Sequence, residues 1–164
     1  MVDCVSIAHM IDERRTAIQL IFVTVWIAAV VVTSAWGASF SASKGTLILT
    51  AAPLSLVPIL GLHFLRDNEA RAGWVVITAW LGATYAGGGE PLELAVFAVI
   101  VALGLVGYFR SAWYYPVAWL GHIVWDFVPR ELSPMLADLP TACMIFDGII
   151  GLYLIAMARR RWVA

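Results

Sequence analysis

Three ionisable side chains sit where apolar helices ordinarily carry none. His122 and Asp126 stand four residues apart in the apolar run Ala112 to Val128, and Asp147 lies inside the run Leu139 to Ala158. In hydrocarbon each such group costs several kcal/mol, so it needs a partner, a water-filled cavity or a purpose. A spacing of four puts His122 and Asp126 on one helical face, which Tyr115 and Trp119 extend in an i, i+4, i+7, i+11 pattern. Cys143 and Asp147 also stand four apart on the next run. Counted from the facing ends of the two runs, His122 is about 9 Å deep and Asp147 about 12 Å deep, a similar level for antiparallel neighbours. Glu93 heads an earlier run just after Gly87-Gly88-Gly89, whose permissive backbone allows a sharp reversal that would aim it at the same space.

Such a set suits acid-base chemistry, with one carboxyl giving a proton and a paired carboxylate taking one. The candidate catalytic residues are therefore Asp147, Asp126, His122 and Glu93. Trp119, Trp125, Tyr115 and Cys143 are the candidate substrate-binding residues, their ring faces suited to a developing carbocation. Isomerisation, cyclisation or hydration of a lipid or isoprenoid-like molecule is the matching reaction class. No cofactor is required for it. A second version places a metal such as zinc on His122, Asp126 and Asp147, because zinc accepts mixed nitrogen and oxygen ligands. Two other classes stay open. A small oligomer could relay a proton or a cation through Asp147 and His122, or the chain could be an accessory subunit of a larger membrane complex. In the plainest case the His/Asp pair only holds two helices in register, worth about 1 kcal/mol.

Composition fixes the setting of these residues. Of 164 residues, 62% are hydrophobic and 13% charged, and the mean hydropathy is +0.89. Soluble domains carry about 25% charged residues. A net charge of -1 supplies no basic surface for nucleic acid. Cys4 and Cys143 fall on opposite sides of the membrane in the topology below, which rules out an intrachain disulfide. The pattern predicts an all-α polytopic membrane protein forming a single membrane domain over residues 1–164.

Charge and Gly/Pro punctuation divide the chain into six transmembrane helices, at about 16–40, 46–65, 72–88, 92–109, 112–128 and 139–158. Arg14, Arg15, Arg66, Arg71, Arg110, Arg159, Arg160 and Arg161 then fall on one side, and only Lys44 and Arg130 on the other. The positive-inside rule makes both termini cytoplasmic and the pocket outward-facing, in a cell inner membrane. Partners are accordingly a membrane lipid or hydrophobic small molecule, with a homo-oligomer or a partner membrane subunit also compatible. Three alternate runs carry a similar cluster, Ala35-Trp36-Gly37, Ala79-Trp80-Leu81-Gly82 and Ala118-Trp119-Leu120-Gly121, which would fit either a threefold hairpin repeat or the frequent Ala, Trp and Gly of such a chain.

Gly121-His122-Ile123-Val124-Trp125-Asp126, followed by Leu139-Pro140-Thr141-Ala142-Cys143-Met144-Ile145-Phe146-Asp147, resembles small uncharacterised multi-pass bacterial integral membrane proteins that share a His and Trp-Asp pair plus a later Cys and Asp. The resemblance covers the last two runs. It implies that these residues belong together, and it implies no activity.

Overall fold

The computed structural model describes residues 45–86, 91–129 and 137–162, with side chains up to 81 in the first of these stretches. Five α-helices and no strand occur among them: α1 Thr46–His63, α2 Asp67–Ala86, α3 Pro91–Phe109, α4 Tyr114–Asp126 and α5 Leu139–Arg160. The all-helical class expected from composition is observed. The predicted first span at 16–40, with Cys4, Trp36, Lys44, the Gly87–Gly89 run, Glu90 and Arg130, lies outside the described residues.

Helix boundaries follow local chemistry. α1, α3 and α5 are long and apolar enough to cross a membrane. α2 begins five residues before the predicted apolar run, because Asp67 and Glu69 in its first turn favour the positive end of the helix dipole. Glu69 Oε2 also accepts the backbone N–H of Arg66 at 3.1 Å. α4 is shorter than its predicted run. Its 13 residues extend about 20 Å, less than the roughly 30 Å of hydrocarbon. Pro116 is tolerated in its first turn, where the missing N–H would have no partner, and Pro129 disfavours helical backbone at Val128 and so helps end it.

Successive helices run antiparallel and pack as neighbours, and α1 also packs on α5, which closes the five into a ring. The α1–α2 seam is the lightest of the five. Buried Trp74 and Ile77 of α2, Ile100 of α3, Trp119 of α4 and Ile150 and Leu154 of α5 fill the inside. Large apolar side chains such as Leu49, Leu60, Val76, Val99, Val124 and Leu152 face outward. That arrangement suits a hydrocarbon solvent, and with the three apolar helices it marks a membrane protein.

All arginines among the described residues lie at a single end of the ring, where α1, α3 and α5 finish and α2 and α4 start. Two of them tie that end together. Arg161 donates to the carbonyls of His63 (2.9 Å) and Leu65 (2.7 Å) and pairs with Asp67. Arg71 donates to the carbonyls of Gly107 (2.9 Å) and Tyr108 (2.6 Å), acceptors at the end of α3 where the helix itself supplies no donor. At the opposite end, Asp138 Oδ2 accepts the Gly45 backbone N–H at 2.6 Å, joining the starts of α1 and α5.

Several close approaches depend on glycine, among them Gly73 of α2 against Leu62 of α1 and Gly107 of α3 against Tyr115 of α4. Gly151 of α5 lies against Leu120 of α4, and Gly104 of α3 against Thr78 of α2. The Ala-Trp clusters are not equivalent in environment: Trp119 is 0% exposed, whereas Trp80 is 42% exposed.

Candidate functional site

α4 and α5 are antiparallel partners, and their polar residues meet inside the ring. His122 Nδ1 lies 2.5 Å from Asp147 Oδ2 and 3.7 Å from Asp126 Oδ2. His122 is 1%, Asp126 6% and Asp147 0% exposed. The turn geometry of α4 sets up the first pair, since residues four apart stack on one face. The second pair depends on helix packing, which Gly151 permits by letting α5 approach Leu120 one turn beyond Asp147.

His122 Nδ1 and Asp147 Oδ2 are joined by a hydrogen bond of 2.5 Å. The other carboxylate oxygen, Asp147 Oδ1, is buried and has no hydrogen-bond partner among the described residues. Two carboxyl groups thus converge on one imidazole nitrogen, and the arginines of the described chain are at the far end. Asp126 lies in the last turn of α4 and His122 immediately before it, where exposed carbonyl dipoles add further negative potential. One ligand atom from each of the three side chains falls within 4.8 Å of the others, so the group could hold a metal ion.

Aromatic residues fill the ring between this cluster and the arginine end. Trp119, one turn before His122, stacks edge-on against Trp74 (6.0 Å between centroids) and lies 6.0 Å from Phe146. Trp74 in turn lies 5.9 Å from Tyr153, whose hydroxyl is bonded to His63 Nδ1 at 3.0 Å. The Trp119 indole N–H donates to Thr78 Oγ1 at 3.0 Å, and that hydroxyl donates to the Trp74 carbonyl at 2.7 Å. Thr78 therefore positions the ring beneath His122. The sequence reading passed over it; the signal was the indole N–H, which needs an acceptor when buried.

The remaining candidates are placed as follows. Trp125 is half-buried on α4 beside Asp126. Cys143 is a half-buried thiol one turn before Asp147. Glu93 is half-buried in the first turn of α3 and does not belong to the three-residue group. Tyr115 is buried, but its hydroxyl donates to the Arg71 carbonyl at 2.8 Å and its ring packs on Trp162. It belongs to the arginine end, two turns from His122.

The chain matches a family of unknown function, DUF6010, over residues 46–160 and belongs to it. Those limits are the first residue of α1 and the last of α5, so the family unit is the five-helix ring. No curated protein and no solved structure matches the chain.

Proposed function

We propose that this DUF6010 member is a membrane-embedded enzyme that moves protons on a lipid or isoprenoid-like substrate, with His122, Asp126 and Asp147 as its acid and base groups. The observation that carries this reading is the buried contact of one imidazole nitrogen with two carboxyl groups on adjacent helices. A pair of helices held in register needs only one hydrogen bond. The second carboxyl and the bare Asp147 oxygen are surplus to that purpose, and they lie in an apolar interior where surplus polar groups are costly.

The proton inventory closes for a double-bond shift. The His122/Asp147 pair gives the proton of its hydrogen bond to one alkene carbon, and the electron pair of the double bond forms the new C–H bond. The cation is left on the other alkene carbon, and Asp126, as carboxylate, removes a proton from the next carbon along, whose C–H electrons form the new double bond to the cationic carbon. The proton on Asp126 returns to His122 across the 3.7 Å separation. Trp119 and Trp125 provide ring faces for the cationic intermediate. A zinc ion on the same three side chains would supply the acid in place of the hydrogen-bonded proton.

Orientation completes the reading. With the arginine end cytoplasmic, the cluster opens toward the outer leaflet, both termini are cytoplasmic, and the chain has six spans in the cell inner membrane. The aromatic stack below His122 supports one-sided access and disfavours a path for ions through the ring. Isolated membranes incubated in D2O test the proposal. Wild-type membranes should gain carbon-bound deuterium in an extractable lipid pool. Asp147→Asn membranes with equal amounts of the protein should label at least about 100-fold more slowly. Equal labelling in the two would refute the proposal.

A further inference from the structure

We infer that His122, Asp126 and Asp147 form a binding site for a divalent first-row transition metal ion of the zinc class. The inference deepens the proposed function and rests on the same cluster, but it makes a separate claim about what that cluster holds.

Geometry is the first argument. Metal–ligand distances of 2.0–2.1 Å place neighbouring ligand atoms of a tetrahedral zinc about 3.4 Å apart. The two separations from His122 Nδ1, 2.5 Å to Asp147 and 3.7 Å to Asp126, bracket that value. Side-chain rotations of under about 1 Å would equalise them. Three protein ligands leave a fourth position for solvent or substrate, the arrangement of a catalytic zinc rather than a structural one.

Charge is the second. Two carboxylates and the carbonyl end of α4 converge in a space where no described Lys or Arg side chain lies. One imidazole can balance at most one of the two carboxylates. A divalent cation balances both and lets the three groups remain buried.

Satisfaction of the ligands is the third. Asp147 is fully buried, and its Oδ1 has no hydrogen-bond partner among the described residues. An oxygen in that position is expensive when bare, and either oxygen of a carboxylate can serve as ligand. The donor set is one nitrogen and two oxygens. It matches Zn2+, Fe2+ or Mn2+ better than copper(I), which prefers sulfur, or Mg2+, which keeps its waters.

The experiment uses the full chain in detergent, stripped with chelator, freed of any polyhistidine tag and dialysed against Co2+ or Zn2+. We expect about one metal per chain, a visible Co2+ absorption band of nitrogen and oxygen ligation, and displacement of that band by Zn2+. Asp147→Asn and His122→Gln should each weaken binding by about 100-fold, whereas His63→Gln, which removes the histidine at the far end, should leave it unchanged. Helical circular dichroism and a single elution peak establish that each variant is folded. If the variants fail to fold, the wild-type cobalt band and stoichiometry decide alone. Wild type binding under a tenth of an equivalent, or folded Asp147→Asn binding as tightly as wild type, overturns the metal site. A wild-type chain that binds no metal yet still exchanges deuterium into lipid would overturn the metal site while leaving the proton-transfer reading intact.

Discussion

Gly151→Ala probes the packing on which the cluster depends. A methyl group built on Gly151 falls 2.5 Å from Leu120 Cδ2 and 2.8 Å from Leu120 Cγ, where carbon atoms normally rest about 3.5–4.0 Å apart. The terminal methyl can rotate aside. Cγ moves only with a change of χ1, for which a helical backbone leaves few alternatives, so Leu120 must leave its rotamer or α4 must shift by about 1 Å. Overpacking of this kind costs about 1–3 kcal/mol, and the better helix propensity of Ala returns up to about 1 kcal/mol. The net expectation is a loss of about 1–2 kcal/mol, read as SDS-induced unfolding in mixed micelles by circular dichroism. Leu120 is two residues from His122, and Gly151 is one turn from Asp147. A 1 Å displacement between them should therefore lower deuterium exchange by about 100-fold. Leu120→Ala makes room for the methyl. The double variant should be more stable than the sum of the two single effects by at least 1 kcal/mol. Additivity within about 0.5 kcal/mol would refute the claim that this contact sets the α4–α5 distance.

Asp147→Asn should change unfolding free energy by less than about 1 kcal/mol while abolishing exchange, because hydrogen bonds between membrane helices average about 0.6 kcal/mol; a loss of 3 kcal/mol or more would instead assign the pair a register role. Thr78→Val removes the acceptor of the Trp119 indole N–H and should cost about 1–3 kcal/mol in the same unfolding assay. Arg161→Lys cannot reproduce the fork that holds the His63 and Leu65 carbonyls. Tryptic cleavage at Arg66, in the connection those carbonyls belong to, should accelerate several-fold, and an unchanged rate would show that the clasp contributes nothing.

Most helix limits were legible because polar punctuation is sharp in an apolar chain. α3 and α5 begin within one residue of their predicted starts, each marked by a proline in the first turn. α2 was misjudged at its start, since Asp67 to Arg71 reads as a loop by hydropathy although its acids favour a helix N-terminus. The length of α4 was overestimated because apolar Phe127 and Val128 extend the run beyond the point where the following proline ends the helix. The convergence of His122, Asp126 and Asp147 followed from spacing and depth alone. Two features escaped that arithmetic. Tyr115 shares the His122 face but is drawn to the Arg71 carbonyl, and helical periodicity carries no information on which partner a hydroxyl finds. Thr78 is on a different helix, so its bond to Trp119 depends on ring closure, which is a long-range property.

The seam between α1 and α5 has a consequence for biosynthesis. Its tethers join residues 93 apart, at Gly45 and Asp138, and 98 apart, at His63 and Arg161. α1 packs only lightly on α2, so its principal partner is α5, the last of the five described helices to leave the ribosome. At about 5–20 residues per second, α1 waits roughly 5–20 s in the bilayer before that partner arrives. A nascent chain stalled before residue 139 would present α1 with its buried Ser55 and Ala51 face uncovered, a ready substrate for membrane quality control.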